Sequence, residues 1–309
     1  MLGLNISATF NSAVTIYILI PFLLIPQILL SGVIVKFEEL NPKISSQSVV
    51  PVWGEMMTSR WAFEALAVNQ FANNKYEKPI FEFEKQISNA GFKKVYWNSK
   101  MISLAEETLK AKKDNSAVAI ENITVLRNEV ANEMKINPSI SFVSLNKMTI
   151  ENFNESVLAK LKEYLSQVKK HYSEIYDTAQ KSIDNRTNSF QSTEAGKAQY
   201  QWLLNTYQNK KIEEAVKNAN PDNESVVIEE GRLISTSDPI FKDGDRLIRA
   251  QFYAPRKNVL GNNYSTYWVN ICVIWLMSLT LWITLYFDVF RKVLRFFSNV
   301  SLFRFKNKE

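Results

Sequence analysis

Cysteine and histidine are almost missing from this chain: 309 residues contain one of each, Cys272 and His171. Cys272 lies inside an apolar run, so the polar middle of the chain has no disulfide and no thiolate metal site. One thiol and one imidazole exclude a zinc site built from several such ligands, and any catalytic His–His pair. Glycine is scarce as well, with 8 residues. Phosphate-cradling loops depend on glycine, and the chain has no G-x-x-x-x-G-K-[ST] loop, no G-x-S-x-G elbow and no H-E-x-x-H helix. Neighbouring carboxylates such as Glu106-Glu107 and Glu229-Glu230 diverge on a helix or a strand and read as surface charge. No catalytic, cofactor-binding or metal-ligating residue is expected, and the chain acting alone is not expected to be an enzyme.

Charge is also missing from one long stretch. Ala13 to Val35 carries none, about 23 residues, enough to cross a hydrocarbon core of roughly 30 Å. The stretch has no basic flank before it and ends at Lys36 without a small-x-small cleavage site, which argues against a signal peptide. Pro21 and Pro26 lie inside it and predict helix kinks, which a membrane bundle tolerates. A second apolar run extends from Tyr267 to Phe287. It carries Trp268, Trp275, Trp282 and Tyr286, and those near its ends suit the membrane interfaces. Beyond it come Arg291, Lys292, Arg295, Arg304, Lys306 and Lys308, where much of the formal charge of +6 collects. Basic residues beside a span set topology and can hold anionic lipid. No nucleic-acid partner is expected. The tail is then cytoplasmic, two spans return the N-terminus to the same side, and the middle lies outside.

The overall hydrophobic fraction of 46% is ordinary for a soluble protein, because the middle is rich in Lys, Glu, Asn and Ser. Phe37 to Pro42 reads as a polar exit and turn. Val49 to Phe71 is amphiphilic and too polar to span, which suits short interfacial helices. Within it Arg60 and Glu64 are four apart and share a helix face, where they can pair. Helices are expected over 87–113 and 117–136, with a break at Asn137-Pro138. Ile150, Phe153, Val157, Leu161, Tyr164, Val168, Tyr172, Ile175 and Ala179 recur three or four apart, an apolar stripe on a helix of about 30 residues. His171 lies beside that stripe and reads as a packed or surface histidine. A further helix is expected over 194–218, antiparallel to its predecessor. Short strands are expected near 226–228, 233–234 and 247–252, around turns at Asp238-Pro239 and Gly244.

The resulting organisation is an N-terminal flank (1–12), a transmembrane helix (13–35), a re-entrant or interfacial segment (36–73), a helical extracytoplasmic domain (74–223), a short-strand return segment (224–263), a second transmembrane helix (264–290) and a basic cytoplasmic tail (291–309). The fold class is a mostly α membrane protein, with two transmembrane helices flanking a large, mainly helical extracytoplasmic domain that has a small β region.

Three stretches resemble bacterial ABC exporter permeases of the G (White-type) subfamily. The run Ile20-Pro21-Phe22-Leu23-Leu24-Ile25-Pro26-Gln27-Ile28-Leu29-Leu30-Ser31-Gly32 resembles the fifth transmembrane helix of that family, which ends in Ser-Gly before a large outer loop. Trp53, then Ser59-Arg60-Trp61-Ala62-Phe63-Glu64-Ala65-Leu66 and Asn69-Gln70-Phe71, are similar to its re-entrant segment. Phe252-Tyr253-Ala254-Pro255-Arg256-Lys257, Gly261, Tyr267-Trp268 and Asn270 look like the approach to the sixth helix in long-loop members from Bacteroidetes-like bacteria. The resemblance implies part of a multi-pass transporter in the bacterial inner (plasma) membrane, working as a homodimer. The nucleotide-binding domain, with its ATP and Mg, and four earlier spans would belong to the parent transporter. It also implies pathway-lining residues Ile18, Leu19 and Phe22, and a re-entrant segment carrying Trp53, Arg60, Trp61, Phe63 and Glu64. Hydropathy by itself equally allows a two-span membrane-tethered helical sensor or adaptor.

Overall fold

Helix dominates the computed structural model, which describes residues 1–37, 40, 46, 48–114, 116–218, 225–244 and 246–296. The turn expected over Phe37 to Pro42, except Phe37 and Leu40, and the basic residues Arg304, Lys306 and Lys308 lie outside the described residues. In chain order the elements are α1 (Leu2–Thr9), α2 (Ala13–Leu29), α3 (Val52–Glu55), α4 (Thr58–Ala72), α5 (Phe81–Gly91), a π-helical turn (Phe92–Trp97), α6 (Asn98–Asp114), α7 (Ser116–Ile136), α8 (Glu155–Gln191), α9 (Glu194–Tyr207), α10 (Lys210–Lys217), β1 (Val226–Glu229), β2 (Arg232–Ser235), β3 (Arg256–Val259), β4 (Asn262–Ser265) and α11 (Thr266–Tyr286). They divide into two units. The first comprises Met1–Ser45, Val50–Leu66 and Tyr264–Glu309, and the second Ser46–Val49 and Ala67–Asn263.

In the first unit α11 is, among the described residues, the one helix long and apolar enough to cross a membrane. The first span expected over 13–35 is not confirmed at that length. Its helix, α2, stops at Leu29 after 17 residues. A run without charge predicts a preference for apolar surroundings, but local chemistry ends the helix. Ser31 Oγ donates to the Ile28 carbonyl at 2.7 Å, and Gly32 follows with φ of +80°, the left-handed conformation that commonly closes helices. Pro21 and Pro26 both stay inside α2, and each removes a donor from the helical ladder. The N-terminal flank forms α1, which lies against α11. Asn5 pins it there: buried in an apolar setting, its Nδ2 donates to Leu281 O at 2.8 Å, and Thr284 Oγ1 donates to its Oδ1 at 3.1 Å. Arg291 also donates to the Ala8 carbonyl.

The second unit is built around α8. The expected stripe is buried at Val157, Leu161, Tyr164, Val168, Tyr172 and Ala179. The helix runs for 37 residues, from an N-cap at Asn154, whose side chain accepts from Val157 N at 3.1 Å, the usual way to satisfy an open helix end. Trp97, Met101, Leu126 and Val130 from the π turn, α6 and α7 join it in one core. His171 is half-buried, its ring 5.4 Å from that of Tyr172. The helix expected over 194–218 is two, because Asn209 accepts from the backbone N–H groups of Lys211 and Ile212 and so starts a new helix.

β1 and β2 pair antiparallel, Val226 opposite Ser235 and Glu229 opposite Arg232. The two-residue turn between them, Glu230-Gly231, has positive φ at both positions, the hairpin turn whose twist matches its strands. This hairpin is fastened to α7: Glu129 Oε1 accepts from Leu233 N at 3.1 Å, while its Oε2 accepts from Trp97 Nε1 at 2.6 Å. The strand expected over 247–252 is absent, and Leu247 makes only an isolated bridge to Asn258. The second pair is instead β3–β4, turned at Leu260-Gly261.

Candidate functional site

Chemistry in the first unit concentrates where α4 meets α11. The spacing of Arg60, Trp61, Glu64 and Ala65 places them on one face of α4, and all four are buried. The first turns of α11 present Thr266, Val269 and Asn270, also buried. Arg60 and Glu64 are inaccessible to solvent, with Arg60 Nη1 3.4 Å from Glu64 Oε2. Arg60 Nη2 donates to Glu55 Oε1 at 3.2 Å, and the guanidinium lies 4.0 Å from the centre of the Trp61 ring. Trp61 Nε1 donates to the Glu55 carbonyl at 2.7 Å. Asn270 Nδ2 reaches across from α11 to Glu64 Oε2 at 2.7 Å and to Trp61 O at 3.0 Å. One guanidinium is thus held between two carboxylates, with an amide from the apolar helix closing the group. Ser59 Oγ donates to Gln27 O at 2.6 Å and ties the same segment to α2.

This segment buries its ions together with apolar side chains such as Trp61, Ala65 and Val68. Its ions are inside, while Val52, Met56 and Leu66 are exposed. α11 follows the same rule: Asn270 is buried, whereas Trp268, Trp275, Leu276, Leu279 and Trp282 are exposed. Buried charge is tolerated only when paired and hydrogen-bonded, and removing one partner of such a pair costs about 3–5 kcal/mol. The node contains no activated nucleophile, and the described residues include no group of three His, Cys, Asp or Glu placed to hold a metal. What it can do is fix α3, α4 and α11 as one piece.

Of the residues singled out from sequence, Arg60, Trp61 and Glu64 come together here. Trp53 is half-buried beside Phe37, edge to face with ring centroids 5.9 Å apart. Phe63 is half-buried on α4. Ile18 and Phe22 are exposed, whereas Leu19 is half-buried on the side of α2 that also carries Leu23 and Pro26. The three pathway candidates therefore differ in exposure, although positions 18, 19 and 22 fall within about 100° of arc on the helix. Glu55 and Asn270 gained no role from sequence reasoning. The available signal for Asn270 was an amide inside an otherwise apolar run, which needs an internal partner.

A second titratable group occupies the other unit. Lys217 Nζ donates to Glu84 Oε2 at 3.1 Å and to Glu213 Oε1 at 2.9 Å, near the rings of Phe71 and Phe241. Burial works against the Lys217 charge, but hydrogen bonds and attraction from Glu213 and Glu84 hold its pKa above the ordinary lysine value. Burial pushes Glu77 up to about 8, and the neighbouring Glu84 carboxylate adds to the rise while Lys217 opposes it. Burial also raises Tyr76, as does its hydrogen bond with Tyr200.

Comparison with family models, with curated proteins and with solved structures returns no match.

Proposed function

We propose that this chain is the C-terminal permease portion of an ATP-driven ABC exporter of the White-type subfamily, with α2 and α11 as its fifth and sixth transmembrane helices. In this reading the second unit is extracytoplasmic, the basic tail is cytoplasmic, and two copies form the translocation pathway in a bacterial inner membrane. ATP and Mg act on a nucleotide-binding domain outside the 309 residues.

The observation that supports the membrane reading best is that the ions of α4 and the amide of α11 are buried while large apolar side chains of α3, α4 and α11 are exposed. Arg60 and Asn270 both contact the Glu64 carboxylate inside, and Val52, Met56, Leu66 and much of α11 are apolar and exposed. Lipid imposes this pattern, because intramembrane ionisable groups must face protein partners. The choice of family rests on the paired prolines, the Ser31-Gly32 stop and the Arg60–Glu64 motif. Apolar pathway candidates suit an amphiphilic or lipid-like substrate. The rival reading, a two-span tethered sensor or adaptor, requires no coupling to ATP hydrolysis.

The test is made in the complete transporter, reconstituted in liposomes. Arg60→Ala should reduce assembled, ATP-hydrolysing transporter well below the level of Lys181→Ala, an exposed substitution on α8. Equal and negligible effects of the two would reject the reading.

A further inference from the structure

The second unit contains an open cleft of about 350 Å³ lined by Phe92, Lys93, Ile136, Leu233, Lys242 and Gln251, among others. Its size falls at the small end of ligand pockets. The π turn that interrupts the path from α5 to α6 contributes Phe92 and Lys93 to its wall, and such turns recur at functional sites. Gly244 closes another side, where a β-carbon would lie 2.9 Å from that of Ala250, so the backbone there approaches closely because a side chain is missing.

Among the described residues, most charges around the cleft are paired and Lys242 is not. Lys93 donates to Glu133 Oε2 at 2.7 Å, and Glu133 also accepts from Tyr172 and Asn137. Asp243 accepts from Lys85 at 2.6 Å. Lys242 has no carboxylate within ion-pair distance among the described residues. Its Nζ donates to the amide oxygen of Asn89 at 3.2 Å and lies 4.8 Å from the Phe92 ring centre. Asn89 is itself fixed, its Nδ2 donating to Phe241 O at 3.2 Å. The other polar groups of the wall are mostly engaged with the protein: Gln251 Nε2 donates to Ser235 O at 2.9 Å, and the Ser48 hydroxyl is 3.0 Å from that of Ser46.

We propose that this cleft binds a small monocarboxylate, its carboxylate on Lys242 and its short apolar tail against Phe92, Ile136, Leu233 and Ala250. A single ammonium with no ion-pair partner among the described residues selects a single negative charge over a phosphate dianion. A wall whose donors and acceptors are mostly committed offers little to a sugar. A partly desolvated cation without a counter-ion is costly, and an incoming carboxylate relieves that cost with a charge-assisted hydrogen bond. The titration of Lys242 agrees: burial pulls its pKa down to about 8, with Asp238 opposing and Lys93 reinforcing the fall. The other charged and titratable groups around it are Glu133, Tyr172 and Asp243. Glu133 is held below the usual carboxylate range: burial pushes it upward, but Lys93, Tyr172 and Asn137 outweigh that. Tyr172 is raised by burial and by Glu133. Carboxylate binding therefore follows the ammonium form of Lys242 and weakens as pH rises through about 8.

The inference stands independently of transport, since it uses only the second unit and no ATP hydrolysis. The test is calorimetric titration of the full chain, in lipid nanodiscs, with hexanoate, hexanamide and hexylamine. Hexanoate should bind saturably, with the amide and the amine at least about tenfold weaker. Lys242→Met should weaken hexanoate at least about tenfold, while the exposed Lys160→Met leaves it unchanged. In the unmodified chain, hexanoate affinity should fall about tenfold or more between pH 7 and pH 9.5, a measurement that needs no variant to fold. Absence of saturable hexanoate binding, equal binding of hexanamide, a pH-independent affinity, or an unaffected Lys242→Met protein would each overturn the proposal.

Discussion

Glu77 links titration to stability most directly. Its pKa rises in the folded chain to about 8 from an ordinary 4.5. The folded state therefore holds a proton that the unfolded chain releases, and its contribution is fully present below pH 4.5 and lost as pH rises through about 8. Glu77→Gln imitates the protonated form. It should leave thermal stability unchanged near pH 4 and raise the melting temperature at pH 9 by several degrees. Parallel pH curves for the two proteins would refute the assignment. In the ionic node, Arg60→Met should be more damaging than the double substitution Arg60→Met with Glu64→Leu, because the single change strands a buried carboxylate. Detergent-stable folded yield measures both, and a double variant no better than the single one would contradict the pairing. The Arg60–Glu64 pair was legible in the sequence because four residues make one helical turn. The Asn270 contact was not, because 206 positions separate it from Glu64, and only the fold brings them together. The Lys242 environment was likewise hidden, since nothing local distinguishes that lysine from the solvated ones around it.

Among the elements, periodicity was a good guide to long helices and a poor one to their ends. The stripe on α8 and the apolar run of α11 were readable because burial and composition repeat over many turns. The stop of α2 depended on two residues, Ser31 and Gly32, and the division of α9 from α10 on one cap, Asn209. Strands were harder still. Ile248 has φ of +59°, so a run that looked extended is bent, while β3 and β4 carry Arg, Lys, Asn and Ser with little β preference. The β1–β2 turn offers a direct check. Gly231 has φ of +70°, and an added β-carbon would lie 3.2 Å from Asn128 Nδ2. Gly231→Ala should destabilise the second unit by about 1–2 kcal/mol, read as a lower denaturant midpoint, and a change within error would show that the turn adapts. In α2, Leu23 shares the half-buried side with Leu19, so Phe22, 72% exposed, is the cleaner probe of a pathway. On the proposed transporter reading, Phe22→Ala in the reconstituted protein should raise basal ATPase activity, and Leu23→Ala should chiefly lower folded yield. An unchanged rate with Phe22→Ala would remove it from the pathway.

For the whole molecule, composition separated an apolar beginning and end from a polar middle, and the structure divides along nearly the same lines. One unit contains α1, α2 and α11, and the other contains α5 to α10. The amphiphilic Val50–Leu66 segment belongs with the apolar unit, which the placement of its charges explains. The central claim is that the second unit lies outside the cell and the basic tail inside. It is tested most directly by labelling single cysteines with a membrane-impermeant maleimide in intact spheroplasts of a strain expressing the complete transporter, in a Cys272→Ser background. A cysteine at Lys181 should be labelled, and one at Lys308 should be labelled only after the membrane is permeabilised. Labelling of Lys308 in intact spheroplasts, or protection of Lys181, would contradict the account.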